Sequence, residues 1–261
     1  MAKKKISGED LKGLAADLTE LLRIRTLPIG MKLFEDKDEM MAIKGVRTPT
    51  PGDNFTMCQL VTQVRTAGTT LGIVHENTRM FSNCGGVAGL NAPGESYLSG
   101  EQMDGVWFDN RDASKAHQDQ MVRVPAGKYN GIAASPLRMG RLDPPDICLF
   151  YASPGQMILF FNGLQHSQYK RYEFSITGET ACSDSWGRAL ATGETSLSLP
   201  CYAERRYGGV ADDELLMACP PDEFQRGVEG LKALYKNGFR YPYPSYGAFV
   251  DPAAGMAKSY G

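Results

Sequence analysis

The sequence predicts an α/β (α+β) fold: a single compact domain built from an internally duplicated βα-β-hairpin unit with pseudo-twofold symmetry. Two observations carry this expectation. Met31-Lys-Leu-Phe34, the helix start Thr56-Met-Cys-Gln59 and Asn83-Cys84-Gly-Gly-Val-Ala-Gly-Leu90 recur in outline as Ile147-Cys-Leu-Phe-Tyr151, Ser153-Pro-Gly-Gln156 and Ala181-Cys182-Ser-Asp-Ser-Trp-Gly-Arg-Ala-Leu190. The spacing recurs too, with 25 positions from Gln59 to Cys84 and 26 from Gln156 to Cys182. On this reading the first repeat covers about 26–100, a connector about 101–127 and the second repeat about 128–220. A C-terminal helix and aromatic tail cover about 222–261.

Each element has a local reason. Leu11, Leu14, Leu18, Leu21 and Leu22 recur at three- and four-residue steps behind a Ser7/Asp10 capping box, predicting an amphipathic helix over about 8–25. A strand follows at Ile29–Phe34, and a loop rich in charge, proline and threonine runs from Glu35 to Asn54. Thr56 and Gln59 form a second capping box ahead of the apolar stripe Leu60, Val61, Val64 and Ala67. Ser153 and Gln156 repeat the device, with Pro154 at the favoured first helical position. Thr70–His75 and Tyr172–Thr177 read as strands following the two helices, the latter through its period-2 alternation. Asp109–Gln120 reads as a short helix, and Lys128–Ala134 as the chain's return to the sheet. A last helix is expected over about 222–236, ending near Gly238. The tail from Phe239 to Phe249 alternates aromatics with proline, and so must cover either a partner subunit or the chain's own core.

Composition removes several function classes. With 28 Lys+Arg against 30 Asp+Glu, the net charge of -2 gives no footprint for nucleic acid or anionic lipid. No apolar run approaches the roughly 18 residues of a membrane span. Ser7-Gly-Glu-Asp-Leu-Lys12 follows the basic Lys3-Lys-Lys5 where an export signal would have its apolar core, so a cytoplasmic protein is expected. In such a compartment six cysteines are core residues, ligands or redox groups, not a disulfide framework. Three histidines weigh against a His-rich zinc enzyme.

The cysteines divide by context. Cys58 is the second residue of the Thr56-capped helix, where free N–H groups and the helix dipole favour a thiolate. Cys84 precedes Gly85 and Gly86, which let backbone approach a ligand. Cys182 occupies the matching point of the second copy, and Cys201 follows Pro200 with Arg205 and Arg206 nearby. Cys148 and Cys219 read as strand interior. The first four lack any C-x-x-C pairing, with 25, 97 and 18 residues between successive members, so a shared site would have to be assembled by the fold.

Pro28-Ile-Gly-Met-Lys-Leu-Phe34, Thr56-Met-Cys-Gln59, Cys84-Gly-Gly-Val-Ala-Gly-Leu90, Asp143-Pro-Pro-Asp-Ile-Cys-Leu149, Thr192-Gly-Glu194 and Pro200-Cys201 with the following arginines carry a family resemblance. Over about 25–235 the chain resembles the uncharacterised domain-of-unknown-function 169 family of archaea and anaerobic bacteria. The resemblance implies cysteines at the positions of Cys58, Cys84, Cys182 and Cys201, but not Cys148 or Cys219, and an anaerobic, reducing setting. It implies no activity.

Together these readings predict a thiolate-ligated cofactor protein, an iron–sulfur redox or accessory subunit of an anaerobic enzyme system, with zinc as the alternative metal. Cys58, Cys84, Cys182 and Cys201 would be the ligands, Gly85 and Gly86 would approach the centre, and Arg205 or Arg206 would offset its charge. The alternatives are a metal-free small-molecule-binding or assembly protein and a cysteine-dependent enzyme using Cys58 as nucleophile. The expected partners are a second copy or another protein, reached through the aromatic tail, with neither nucleic acid nor membrane involved.

Overall fold

The computed structural model describes residues 6–50, 56–78 and 82–243. The Lys3–Lys5 run and the tail beyond Tyr243 lie outside the described residues. Seven strands form one mixed sheet: β1 (Ile29–Phe34), β2 (Val46–Arg47), β3 (Thr70–Val74), β4 (Gly131–Pro136), β5 (Ile147–Ala152), β6 (Ser196–Ser198) and β7 (Leu215–Cys219). Their order is β2-β3-β4-β1-β5-β7-β6, so the predicted α/β class is met. Only the short β2–β3 pair is parallel; β1 runs antiparallel to both of its neighbours.

The sheet is buried on both sides, and the period-2 alternation of side chains divides its residues between two layers. Along β5, Ile147, Leu149 and Tyr151 enter one core, and Cys148, Phe150 and Ala152 enter the other. The first core is covered by α3 (Met57–Ala67) through Leu60, Val61 and Val64, and by Trp186 and Ala189 of α8 (Trp186–Thr192). The second is covered by α1 (Gly8–Leu22), α7 (Pro154–His166) and α10 (Pro221–Lys236). All three capping boxes read from the sequence are formed, at Ser7, Thr56 and Ser153. The first helix is shorter than expected: it stops at Leu22, where Arg23 adopts a left-handed φ of 51°. Five further α-helices lie among the described residues: α2 (Lys37–Met41), α4 (Ser82–Val87), α5 (Glu95–Leu98), α6 (Arg111–Gln120) and α9 (Tyr202–Arg206).

The duplicated unit is a correction. The two helices with matching caps, α3 and α7, lie against opposite faces of the sheet. The second copy also lacks the strand expected at Tyr172–Thr177, which joins no ladder. Its alternating aromatics serve a different purpose: Tyr172 and Phe174 pack on Phe161 of α7, each with ring centroids 5.4 Å away, while Ile176 is exposed. Alternation is a pattern of two faces, and a coil laid over a helix satisfies it as well as a strand does.

The first residues of the aromatic tail turn back onto the protein. Tyr241 packs against the second core, and the Tyr243 hydroxyl donates to the Gly155 carbonyl at 2.7 Å. No helix among the described residues is long and apolar enough to cross a membrane.

Candidate functional site

Four separate segments bring cysteine to one place. Cys58 sits in the first turn of α3, fixed there by the Thr56 cap, and Cys84 lies on α4. Cys182 occupies a single 3-10 turn at Ala181–Ser183, and Cys201 caps the N-terminus of α9. All four line one cavity of about 80 Å³ together with Thr56, Asn83, Glu179, Thr180, Ala203, Glu204 and Tyr207. Cys84 is partly exposed and the other three are buried. Cys148 and Cys219, directly opposite one another in the β5–β7 ladder, are fully buried in the sheet, as their strand context implied.

Two glycines permit the approach. A Cβ on Gly187 in α8 would overlap Val87 of α4 and come within 2.9 Å of the Cys182 carbonyl, so only hydrogen there lets α4 close on the Cys182 turn. A Cβ on Gly208 would lie 2.5 Å from the Glu204 carbonyl and 3.3 Å from Cβ of Cys58. The result is a sulfur pair, Cys84 and Cys182, with Sγ atoms 3.9 Å apart, and Cys58 within hydrogen-bonding reach of Cys84.

The electrostatics of this cavity disfavour negative charge on sulfur. The helix dipole was expected to ease Cys58 toward thiolate, but its hydrogen bond to Cys84 and its burial push it well above the ordinary thiol range. The hydrogen bond between the Cys84 and Cys182 thiols, with burial, raises Cys84 in the same way. Cys182 is pushed up to about 12: burial and the surrounding thiols and Glu204 outweigh the relief provided by Cys84. Cys201 is pushed up to about 11 by burial and Glu204, against the backbone N–H groups of Glu204 and Ala181 that favour its thiolate. These are thiols at neutral pH, and Cys58 is no preformed nucleophile.

Glu204 is the group that sequence reading missed. Its carboxylate closes the α9 cap by accepting from the Cys201 N–H at 3.0 Å. It is buried, and burial raises its ionisation to about 7 against the pull of that hydrogen bond and of Arg205 and Arg65. The T-x-x-E-like spacing from Cys201 to Glu204 was available as a signal, but a cysteine is not a usual cap. A second missed pair lies beneath: Arg65 of α3 bonds Glu214 at 3.1 Å with both side chains buried, and its guanidinium sits 4.0 Å from the Tyr151 ring centroid. Glu214 also accepts from the Ala211 N–H, which ties the loop after α9 to α3.

Three other expected site residues are placed differently. Arg205 turns away to donate to the Ala211 carbonyl at 2.7 Å, and only its charge reaches Glu204. The Gly85 carbonyl accepts from Leu90, and Gly86 packs on Pro93, so both serve the turn that ends α4. The thiolate-ligated cofactor reading is corrected by the arrangement as a whole. Among the described residues no group of three or more His, Cys, Asp or Glu side chains is disposed to hold a metal ion. The cysteines share a cavity without forming an iron–sulfur or zinc ligand set.

Sheet and cavity together define a mixed α/β protein with a small, thiol-rich pocket on one side of its sheet. A family model described as uncharacterised ArCR, domain of unknown function 169, matches residues 17–230, and the chain belongs to this family. An uncharacterized protein of Methanocaldococcus jannaschii is 22% identical to it over 130 residues, 48% of this chain and 53% of that protein. The chain thus spans about half the length of the curated relative that it matches. No solved structure matches.

Proposed function

We propose that this chain is a small-molecule-binding protein whose ligand sits in the cysteine-lined cavity. One observation carries the reading: four thiols, Glu204, Glu179 and Thr180 from distant parts of the chain surround a single hollow. Burial raises Glu204 even though it accepts from the Cys201 N–H, a cost that a ligand would offset, and a fold selected only for stability would fill the space with apolar atoms. At about 80 Å³ the cavity is well below the roughly 300–1,000 Å³ of sites for drug-sized ligands. The ligand class is therefore a molecule of a few non-hydrogen atoms. It would be soft or apolar enough to lie against sulfur, with one polar group directed at Glu204 or Thr180.

The test is thermal unfolding of the whole chain against a panel of small thiols, amides and carboxylic acids, beside the variant Ala203→Leu, which fills the cavity from its wall. The reading expects at least one compound to raise the Tm of the native protein by several degrees and to leave the variant unmoved. A panel with no such compound, or equal shifts in both proteins, counts against it.

A further inference from the structure

We infer that Cys84 and Cys182 form a peroxide-oxidisable dithiol that closes to a disulfide and so governs the cavity they line. The inference rests on the binding reading above and adds the regulation of that same site. Geometry carries it. The two sulfurs lie 3.9 Å apart, and closure to the roughly 2.05 Å of a disulfide needs a sulfur movement of about 2 Å. The separation is fixed by packing, since Gly187 holds α4 against the Cys182 turn. Exposure assigns the roles: both thiols line the cavity, but Cys84 is partly exposed, whereas Cys182 is buried. A hydroperoxide is among the few oxidants small enough for a space of this size.

The chemistry balances with hydrogen peroxide as the oxidant. Cys84 reacts through its small thiolate fraction: the thiol proton passes to water, the Sγ lone pair attacks one peroxide oxygen, the O–O bond breaks, and the departing hydroxide takes a proton back to leave as water. Cys84 is then a sulfenic acid. Cys182 Sγ attacks that sulfur, the S–O bond breaks, and the hydroxyl leaves with the Cys182 proton as a second water. Two thiols are oxidised by two electrons and one peroxide is reduced to two waters. The product removes two of the cavity's four thiols and joins positions 98 residues apart. A dithiol reductant reverses it by exchange.

The test is peptide mapping of the full chain after exposure to hydrogen peroxide and alkylation of the remaining thiols. The inference expects a peptide joining Cys84 to Cys182 to account for most of the Cys84 signal, to vanish with dithiothreitol, and to be absent from Cys182→Ser. A map without that peptide overturns the inference, whether Cys84 joins Cys58 instead or ends as sulfinic acid. The native map decides the matter even if the variant fails to fold. The linked peptide without any ligand from the thermal panel would keep the dithiol and reject the binding reading. A ligand without the linked peptide would do the reverse.

Discussion

Glu204 offers the sharpest quantitative prediction, because its surroundings fix both the sign and the size of the effect. Burial raises its ionisation from the ordinary 4.5 to about 7. Below pH 4.5 the carboxyl is protonated in both the folded and the unfolded chain and makes no difference to stability. Between 4.5 and about 7 the unfolded chain has released this proton and the folded chain has kept it, so stability falls as pH rises. Each pH unit of displacement is worth about 1.4 kcal/mol, so the loss approaches about 3 kcal/mol and is complete just above pH 7. Glu204→Gln keeps the size and an acceptor for the Cys201 N–H but has no proton to lose. Urea unfolding of both proteins from pH 4 to pH 8, taken as a difference, cancels the other titrating groups. The expected result is that the variant gains on the native protein by about 3 kcal/mol across that interval. A difference that stays flat with pH would refute the reasoning, and one of opposite slope would mean that Arg65 and Arg205 outweigh burial.

The remaining predictions concern the frame of the cavity and its thiols. Arg65→Met takes the nearer and buried cation from Glu214, leaving only Arg25 at 3.9 Å, and should cost about 3 kcal/mol in urea unfolding; the double variant Arg65→Met with Glu214→Leu should recover much of that. Gly187→Ala puts a methyl group against Val87 and the Cys182 carbonyl; about 1–3 kcal/mol of destabilisation is expected in the same assay. Alkylation of Cys201 under native conditions should still be accelerating with pH at about 10, since its ionisation lies near 11; a rate that levels off between about pH 9 and 10 would show an ordinary thiol.

Much of the fold was legible from local chemistry. Capping boxes at Ser7, Thr56 and Ser153 announced three helix starts because they are complete within four residues. Ile29–Phe34 and the Cys148 and Cys219 strands followed from short apolar runs. What failed was inference across distance. Similar caps and spacings suggested a duplicated unit, yet the cap says nothing about which face of a sheet its helix will cover. Tyr172–Thr177 read as a strand because alternation does not reveal whether the second surface is a neighbouring strand or a helix such as α7. At the cavity, residue types could nominate Cys58, Cys84, Cys182 and Cys201, but not the geometry that withholds a metal-ligating set. Nor could the helix-start position of Cys58 reveal its ionisation, because the opposing cause is the Cys84 sulfur brought in by the fold. Glu204 could have been read as the partner of a cysteine cap, but its burial and raised ionisation could not, and Gly208 matters through Cys58 of another segment.

The central claim is that four of the six cysteines face one accessible hollow and two do not. Native reaction of the full chain with methyl methanethiosulfonate, followed over time by peptide mapping, addresses it directly. The structure predicts that Cys84 reacts first, that Cys58, Cys182 and Cys201 follow, and that Cys148 and Cys219 react only on unfolding. Early modification of Cys148 or Cys219, or one common rate for all six, would contradict it.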